Sequence, residues 1–431
     1  MLGRRGDAVA ALGRCLALAF GVAGAGVAGC SKVPAPDATA EARSGAAPAA
    51  PAAAAAPAVA QRTTDGDIAL ANLSARIAAL EKQFQRSQGG LAVRAQLVDM
   101  LLSRTQFLST FSDFARVDEL SEKAPEAFPG EPKAFLLRAR ARSAVHRFAE
   151  AESDLTRAEE LGALTRDIEA PRASLHIAQG RELPAALATA ERRAQALPTL
   201  DRLSLQAGAE AALGRFDAAD EHYRAALASL RDVSPFPFAY VEFQRGVMWA
   251  ELADQPERAL SHYREAVRLL PRYVVANVHL AELEIGLGQG AAAEQRLREL
   301  TGQKEDPEPW ARLAELLLAK SAGDPTARGL LERAGQRYDE LLARYPTAFA
   351  DHASEFFAGP GGNPARAVAL ARDNLQLRQT GRAYLLAVQS AFAAGDTALG
   401  CQYLAQASEA ARANRNLRSL MDTELARCGQ R

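Results

Sequence analysis

A small residue followed four places later by tyrosine recurs along this chain, and nothing else in the sequence constrains the fold as tightly. AADEHYRAAL holds Ala219 and Tyr223; RALSHYREAVRLLP holds Ala259 and Tyr263, with Pro271 eight places on; RAGQRYDELLARYP holds Ala334 and Tyr338, with Pro346 again eight places on. Ala293 falls in the slot of Ala259, 34 residues later. Between these marks Ala, Leu, Arg, Glu and Gln dominate, all strong helix formers. Alternating β-branched runs are absent, so no sheet is expected. Gly and Pro return at intervals of about 12 to 20 residues, which suits short paired helices. Small residues let two helices approach, tyrosine one turn later fills the space between hairpins, and proline ends the second helix. One hairpin cannot bury its apolar face alone, so such units must stack.

Trp310-x-x-Leu313-Ala314-x-x-Leu317 opens a further unit, and Gly214-Arg215-Phe216 sits where two helices would turn. Together these features resemble the tetratricopeptide repeat, a helical hairpin of about 34 residues. The resemblance implies an all-α, TPR-like helical-hairpin solenoid, or superhelix, over residues 132–414, with units at 132–165, 167–199, 200–233, 240–273, 274–306, 307–348, 349–380 and 381–414. It covers roughly three-quarters of the chain and is clearest from Leu200 to Pro346. A degenerate repeat is expected at 91–131 and a capping helix at 415–431. About eight extra residues around Ser321 to Gly329 are expected between the helices of one unit, and six, Ser234 to Ala239, at the junction before another. The glycine that the family places after leucine is here mostly Ala or Val, and tyrosine is missing from several first helices.

Ahead of the repeats, residues 67–90 carry Leu70, Leu73, Ile77, Leu80 and Phe84, spaced by three and four. This seam suits a helix capping the first unit, or a short coiled coil that makes an oligomer.

The extreme N-terminus reads as an export signal. Arg4, Arg5 and Arg14 precede an apolar stretch from Cys15 to Ala28, shorter than the ~20 residues of a membrane-spanning helix. Val27-Ala28-Gly29-Cys30 resembles the lipobox of bacterial lipoproteins. The resemblance implies that residues 1–29 are a signal peptide cut before Cys30, and that Cys30 becomes acylated, for example with palmitate. More than one acyl chain makes such anchoring stable. By resemblance to enterobacterial sorting, Ser31 after the cysteine points to the outer membrane, with the protein facing the periplasm. Residues 30–66 are rich in Ala and Pro and poor in anything large, which makes a flexible linker the expectation. As a coil it would span ~35 Å, and fully extended ~110 Å.

The whole sequence carries a net charge of −1, which becomes −3 when the signal leaves with three Arg and one Asp, too little positive charge for a nucleic-acid surface. No catalytic motif is visible, no cofactor or metal is implied, and the expectation is a chain that is not an enzyme. His222 and His262 precede repeat tyrosines and are expected on an outer helix face. Cys401 and Cys428 remain after processing, in an oxidising compartment. If the last hairpin turns near Ala413 into the closing helix, the two lie at similar height on antiparallel helices. They then either form a disulfide or stay as two unpaired core cysteines.

In a solenoid of this kind the first helices line a concave groove. Val241, Gln244, Met248, Val275, Val278, Glu282, Ala311 and Glu315 are the expected groove residues. They are apolar with acidic spots, which would suit an amphipathic helix or a basic extended peptide. The paired Lys, Asn and Arg that family members use to clamp a C-terminal carboxylate are missing, so chaperone-tail binding is not expected. The aromatic run SPFPFAYVEF, with Phe236, Phe238, Tyr240 and Phe243, would plug a gap between units or serve as a knob for a partner. The functional expectation is a non-enzymatic, lipid-anchored scaffold or assembly factor for other envelope proteins or peptides. The alternative is a periplasmic receptor holding a small ligand or glycan in the groove, whose mark would be a closed pocket with aromatic walls and convergent polar groups.

Overall fold

A computed structural model describes residues 63–87 and 89–429. Cys30, the signal and the linker lie outside the described residues. Helix α1 (Gly66–Arg86) is followed by nine helical hairpins. They are α2/α3 (Leu91–Leu108, Asp113–Ala127), α4/α5 (Pro132–Ala144, Phe148–Glu160) and α6/α7 (Thr165–Gln179, Leu183–Ala196). Next come α8/α9 (Leu200–Ala212, Phe216–Ser229), α10/α11 (Pro235–Val247, Pro256–Leu269) and α12/α13 (Val274–Gly286, Gly290–Leu300). The last three are α14/α15 (Glu308–Lys320, Pro325–Arg344), α16/α17 (Pro346–Ala358, Pro364–Leu377) and α18/α19 (Gly381–Ala393, Thr397–Gln406). Helix α20 (Arg415–Cys428) closes the array. The fold is the expected all-α TPR-like solenoid. Among the described residues no helix is long and apolar enough to cross a membrane.

The repeated residues sit where close packing requires them. Ala219, Ala259 and Ala334 are fully buried, and Tyr223, Tyr263 and Tyr338 nearly so. Gly246 on α10 faces Tyr263 so closely that a Cβ there would come within 2.4 Å of the ring. Two insertions differ from expectation. Ser234 to Ala239 do not widen a junction; α10 starts at Pro235 and is continued by a π-helical turn to Leu252, so they lengthen a first helix. The extra residues after Ser321 go mostly into α15, which starts at Pro325 and runs for 20 residues. In both cases proline at the first helical turn starts the helix early, where its missing N–H costs nothing.

Helix α1 is a cap. Leu70, Leu73, Ile77 and Leu80 are all buried, Leu73, Ile77 and Leu80 in one cluster with Val93, Leu97 and Leu101 of α2. That seam is already covered by its own chain, which corrects the coiled-coil alternative.

The array winds far enough for its turns to touch. Hairpin loops of the early units meet the starts of first helices about 200 residues later. The Thr347 hydroxyl donates to the Val145 carbonyl at 2.7 Å, across 202 residues. His146 Nδ1 lies 3.1 Å from the Thr347 carbonyl oxygen. Gln379 N–H donates to the Gln179 carbonyl at 2.8 Å. Gly180, in the left-handed region at φ +67°, is needed there, since a Cβ would stand 2.9 Å from the Gln379 backbone. Aromatic rings fill the same joint: Phe107 lies 4.9 Å from both Phe236 and Tyr273, and Phe114 lies 5.3 Å from Tyr345. Phe236 and its buried neighbours Phe238 and Phe243 thus plug a joint, between turns as well as between units.

At the C-terminus Cys401 and Cys428 form a disulfide, with Cα atoms 5.6 Å apart. It ties α20 to α19 across 27 residues. A loop of that size corresponds to about 3.5 kcal/mol. Reduction is therefore expected to raise amide hydrogen exchange in α20 by about two orders of magnitude while leaving α10–α15 protected. Unchanged exchange in α20 would show that the bridge does not hold the cap.

Candidate functional site

Two adjoining features occupy the inside of the superhelix. The first is a buried seam of charge. Glu308, Arg312 and Glu315 are spaced by four and three on α14, so they share one face; His352 and Glu355 do the same on α16. Arg312 stands at the centre, 2.6 Å from Glu282 and 2.9 Å from Glu315, and also pairs with Glu355. Arg382 follows, 3.5 Å from Glu251 and 3.8 Å from Glu355. His279 Nδ1 lies 3.3 Å from Glu251 and 3.4 Å from Glu282. Four carboxyl groups thus share two guanidiniums. Burial pushes the Glu282 and Glu355 carboxyls above the ordinary range against the pull of Arg312. Burial also holds His279 neutral, at about 3.

At the far end the balance reverses. Burial opposes charge on His352, yet Glu308 and Asp351 raise it to about 9. Glu308 in turn is drawn down to about 2, chiefly by His352, despite its own burial. Asp351 pairs with Arg378 at 2.6 Å.

The second feature is a cavity of about 290 Å³ between the turns. One wall is first helices of the first turn: Ser174 and Ile177 of α6, and Asp201, Ser204 and Leu205 of α8. A second wall comes from Tyr240 and Gln244 of α10 and from Met248 and Leu252. The last two belong to a π-helical turn, Met248–Leu252, that continues α10. Such turns leave carbonyls without helical partners. Here Asn414 donates to the Glu251 carbonyl and Asn416 to those of Ala250 and Glu251. The third wall is the start of α18, with Arg378, Thr380, Gly381 and Arg382. Burial raises the Tyr240 hydroxyl to about 12, so it stays protonated.

Of the expected groove residues, Val241, Met248, Val278 and Ala311 are buried core, and Gln244, Val275, Glu282 and Glu315 are half-buried. Gln244 and Met248 reach the cavity wall; Val275 lines a smaller pocket beside Glu308 and His352. The acidic spots are not an open basic-peptide surface, because Arg312 neutralises Glu282 and Glu315. His222 and His262 also depart from expectation. They point inward, Nδ1 of each meeting a first-helix carboxylate, Glu210 at 2.8 Å and Glu242 at 2.7 Å. Among the described residues no group of three or more His, Cys, Asp or Glu is arranged to hold a metal. Arg378, Arg382 and Ser204 escaped sequence reasoning, since no local pattern marks residues that meet only when the turns close.

A further feature lies on the outside. Leu164, Leu197 and Val233 are each more than half exposed, and all three sit at links between hairpins, so they share one edge of the solenoid. Ile68, 56% exposed, follows Thr64 by four residues, and Thr64 N–H donates to the Val233 carbonyl at 2.7 Å.

The tetratricopeptide repeat family matches residues 252–317. No curated protein matches the chain. Among solved structures the chain is similar to a thermophilic TPR protein of Thermus thermophilus, at 20% identity over 44% of this chain and 99% of that one, TM-score 0.34. It is similar to yeast Tom70 at 15% identity over 84% and 94%, TM-score 0.31. It is also similar to human IFIT1, solved as a dimer with m7Gppp-AAAA, at 15% identity over 78% and 77%, TM-score 0.46.

Proposed function

We propose that this chain is a protein-binding scaffold held at the bacterial envelope through acylated Cys30, on the periplasmic side of the outer membrane. The observation that carries the reading is the exposed apolar edge of Leu164, Leu197 and Val233, which offers successive hairpins to a partner. Thr64 N–H donates to the Val233 carbonyl, so Thr64 lies beside one end of the same edge. The scaffold acts by binding and holding, without chemistry of its own.

Crosslinking in cells, followed by purification from membranes, tests this. The wild-type chain is expected to fractionate with membranes and to retain a protein partner. Cys30→Ala should release it to the soluble fraction. Changing Leu164, Leu197 and Val233 together to Asp should abolish partner recovery while leaving membrane fractionation intact. Equal recovery by wild type and the triple variant would remove the edge from the argument.

The receptor reading is favoured by a separate observation, the cavity between the turns, with Tyr223, Tyr240, Ser204, Gln244 and Arg382 among its lining residues. A chain of this build can serve both roles, since edge and cavity are distinct surfaces.

A further inference from the structure

We propose that the cavity between the turns takes a small amphiphile with an apolar body and a single anionic head, a medium-chain carboxylate being the simplest member of the class. This deepens the receptor reading and rests on it. The body is specified by Ile177, Leu205, Met248 and Leu252, which line a space of about 290 Å³. That is near the lower end of ordinary ligand sites, about 300–1,000 Å³. Ile177, Leu205 and Leu252 are only half-buried, so their methyl groups gain burial when the space is filled.

The head is specified by charge. Four arginines line the cavity, Arg193, Arg202, Arg378 and Arg382, against one acid, Asp201. Arg378 is committed to Asp351, and Arg382 is shared with Glu251 and Glu355. Arg193 lies 3.5 Å from Glu169 and donates to the Arg166 carbonyl. Arg202 donates to the Arg193 carbonyl and, among the described residues, has no carboxylate in ion-pair range. Its charge is therefore the one that an incoming anion would balance. One further feature favours an anion. The N-terminus of α18, the positive end of a 13-residue helix, opens on the cavity at Thr380 and Gly381.

The test is titration calorimetry of the full chain carrying Cys30→Ala, so that no acyl group of its own competes. The probes are dodecanoate, dodecanol and dodecyltrimethylammonium, all below micelle formation. Dodecanoate is expected to bind one to one, and the neutral and cationic probes at least about tenfold more weakly. Arg202→Gln should weaken dodecanoate about tenfold and leave dodecanol unchanged. Leu205→Trp, which fills the space, should remove binding of dodecanoate while circular dichroism stays that of the parent. Equal binding of all three probes would overturn the anionic head and leave the receptor reading standing. No binding of any probe would overturn the amphiphile altogether, leaving the receptor reading only for ligands of another class. Binding indifferent to Leu205→Trp would overturn the assignment to this cavity.

Discussion

Replacing Arg378 by Met is expected to destabilise the protein by about 3–5 kcal/mol, because it strands a carboxylate inside the fold. Arg378 and Asp351 are 7% and 2% exposed at their side chains, and their 2.6 Å contact is the main compensation for both charges. Arg378 is also tied to Asn374, and Asp351 accepts from the His352 backbone. The arginine offsets the burial of Asp351 strongly enough to hold that carboxyl at about 2. Without the arginine, Asp351 must either stay charged in a dry site or take up a proton. The double variant Asp351→Leu with Arg378→Met should recover most of the loss, since an apolar pair leaves no charge unpaired. Chemical unfolding of the two variants beside the parent checks both statements. A double variant as unstable as the single one would show that the cost lies elsewhere.

The second large effect is on pH. His352 holds its proton to about 9 in the fold, against an ordinary value of 6.5, with Glu308 the chief cause that offsets burial. A group whose folded value is raised stabilises fully below its unfolded value and loses that contribution as pH rises through the folded one. Stability should therefore decline by about 3 kcal/mol as pH rises from about 6.5 to beyond 9. The acid side has the opposite sign. Glu308 and Asp351, drawn down to about 2, contribute above their ordinary values and lose that contribution as pH falls through 2. His146 and His279, kept neutral by burial at about 3, begin to cost stability as pH falls below 6.5, where the unfolded chain takes up the protons. Thermal melting from pH 5 to 10 should show an alkaline limb that His352→Gln flattens. A limb of the same depth in that variant would rule out His352 as its source.

The hairpins were legible in the sequence because their cause is local. Ala259, Tyr263 and Pro271 act within one unit, and the structure turns where they indicate, with α11 ending at Leu269 and α12 starting at Val274. The similar height of Cys401 and Cys428 was legible for the same reason, since it depends on one antiparallel turn, but the sequence left them either bonded or unpaired, and the bond is seen in the structure. The inside of the superhelix was not. Whether Met248 meets solvent or another turn depends on a small rotation per unit summed over about six units, which no spacing encodes. Nor did Glu282 and Glu315 reveal their sign in context, because the guanidinium that neutralises both belongs to Arg312, on the next first helix from Glu282. The inward turn of His222 and His262 has a similar origin, in carboxylates 12 and 20 residues upstream.

Contact between successive turns changes how this protein could grow. An open array can gain a hairpin by duplication, since each unit touches only its neighbours. Here Thr347 must find Val145, and Gln379 must find Gln179. Copying one unit between those partners would move every downstream partner by a whole hairpin, setting Gly180 against a backbone it was not shaped for. Descendants of this chain should vary at loop tips and termini, and hold their hairpin number fixed.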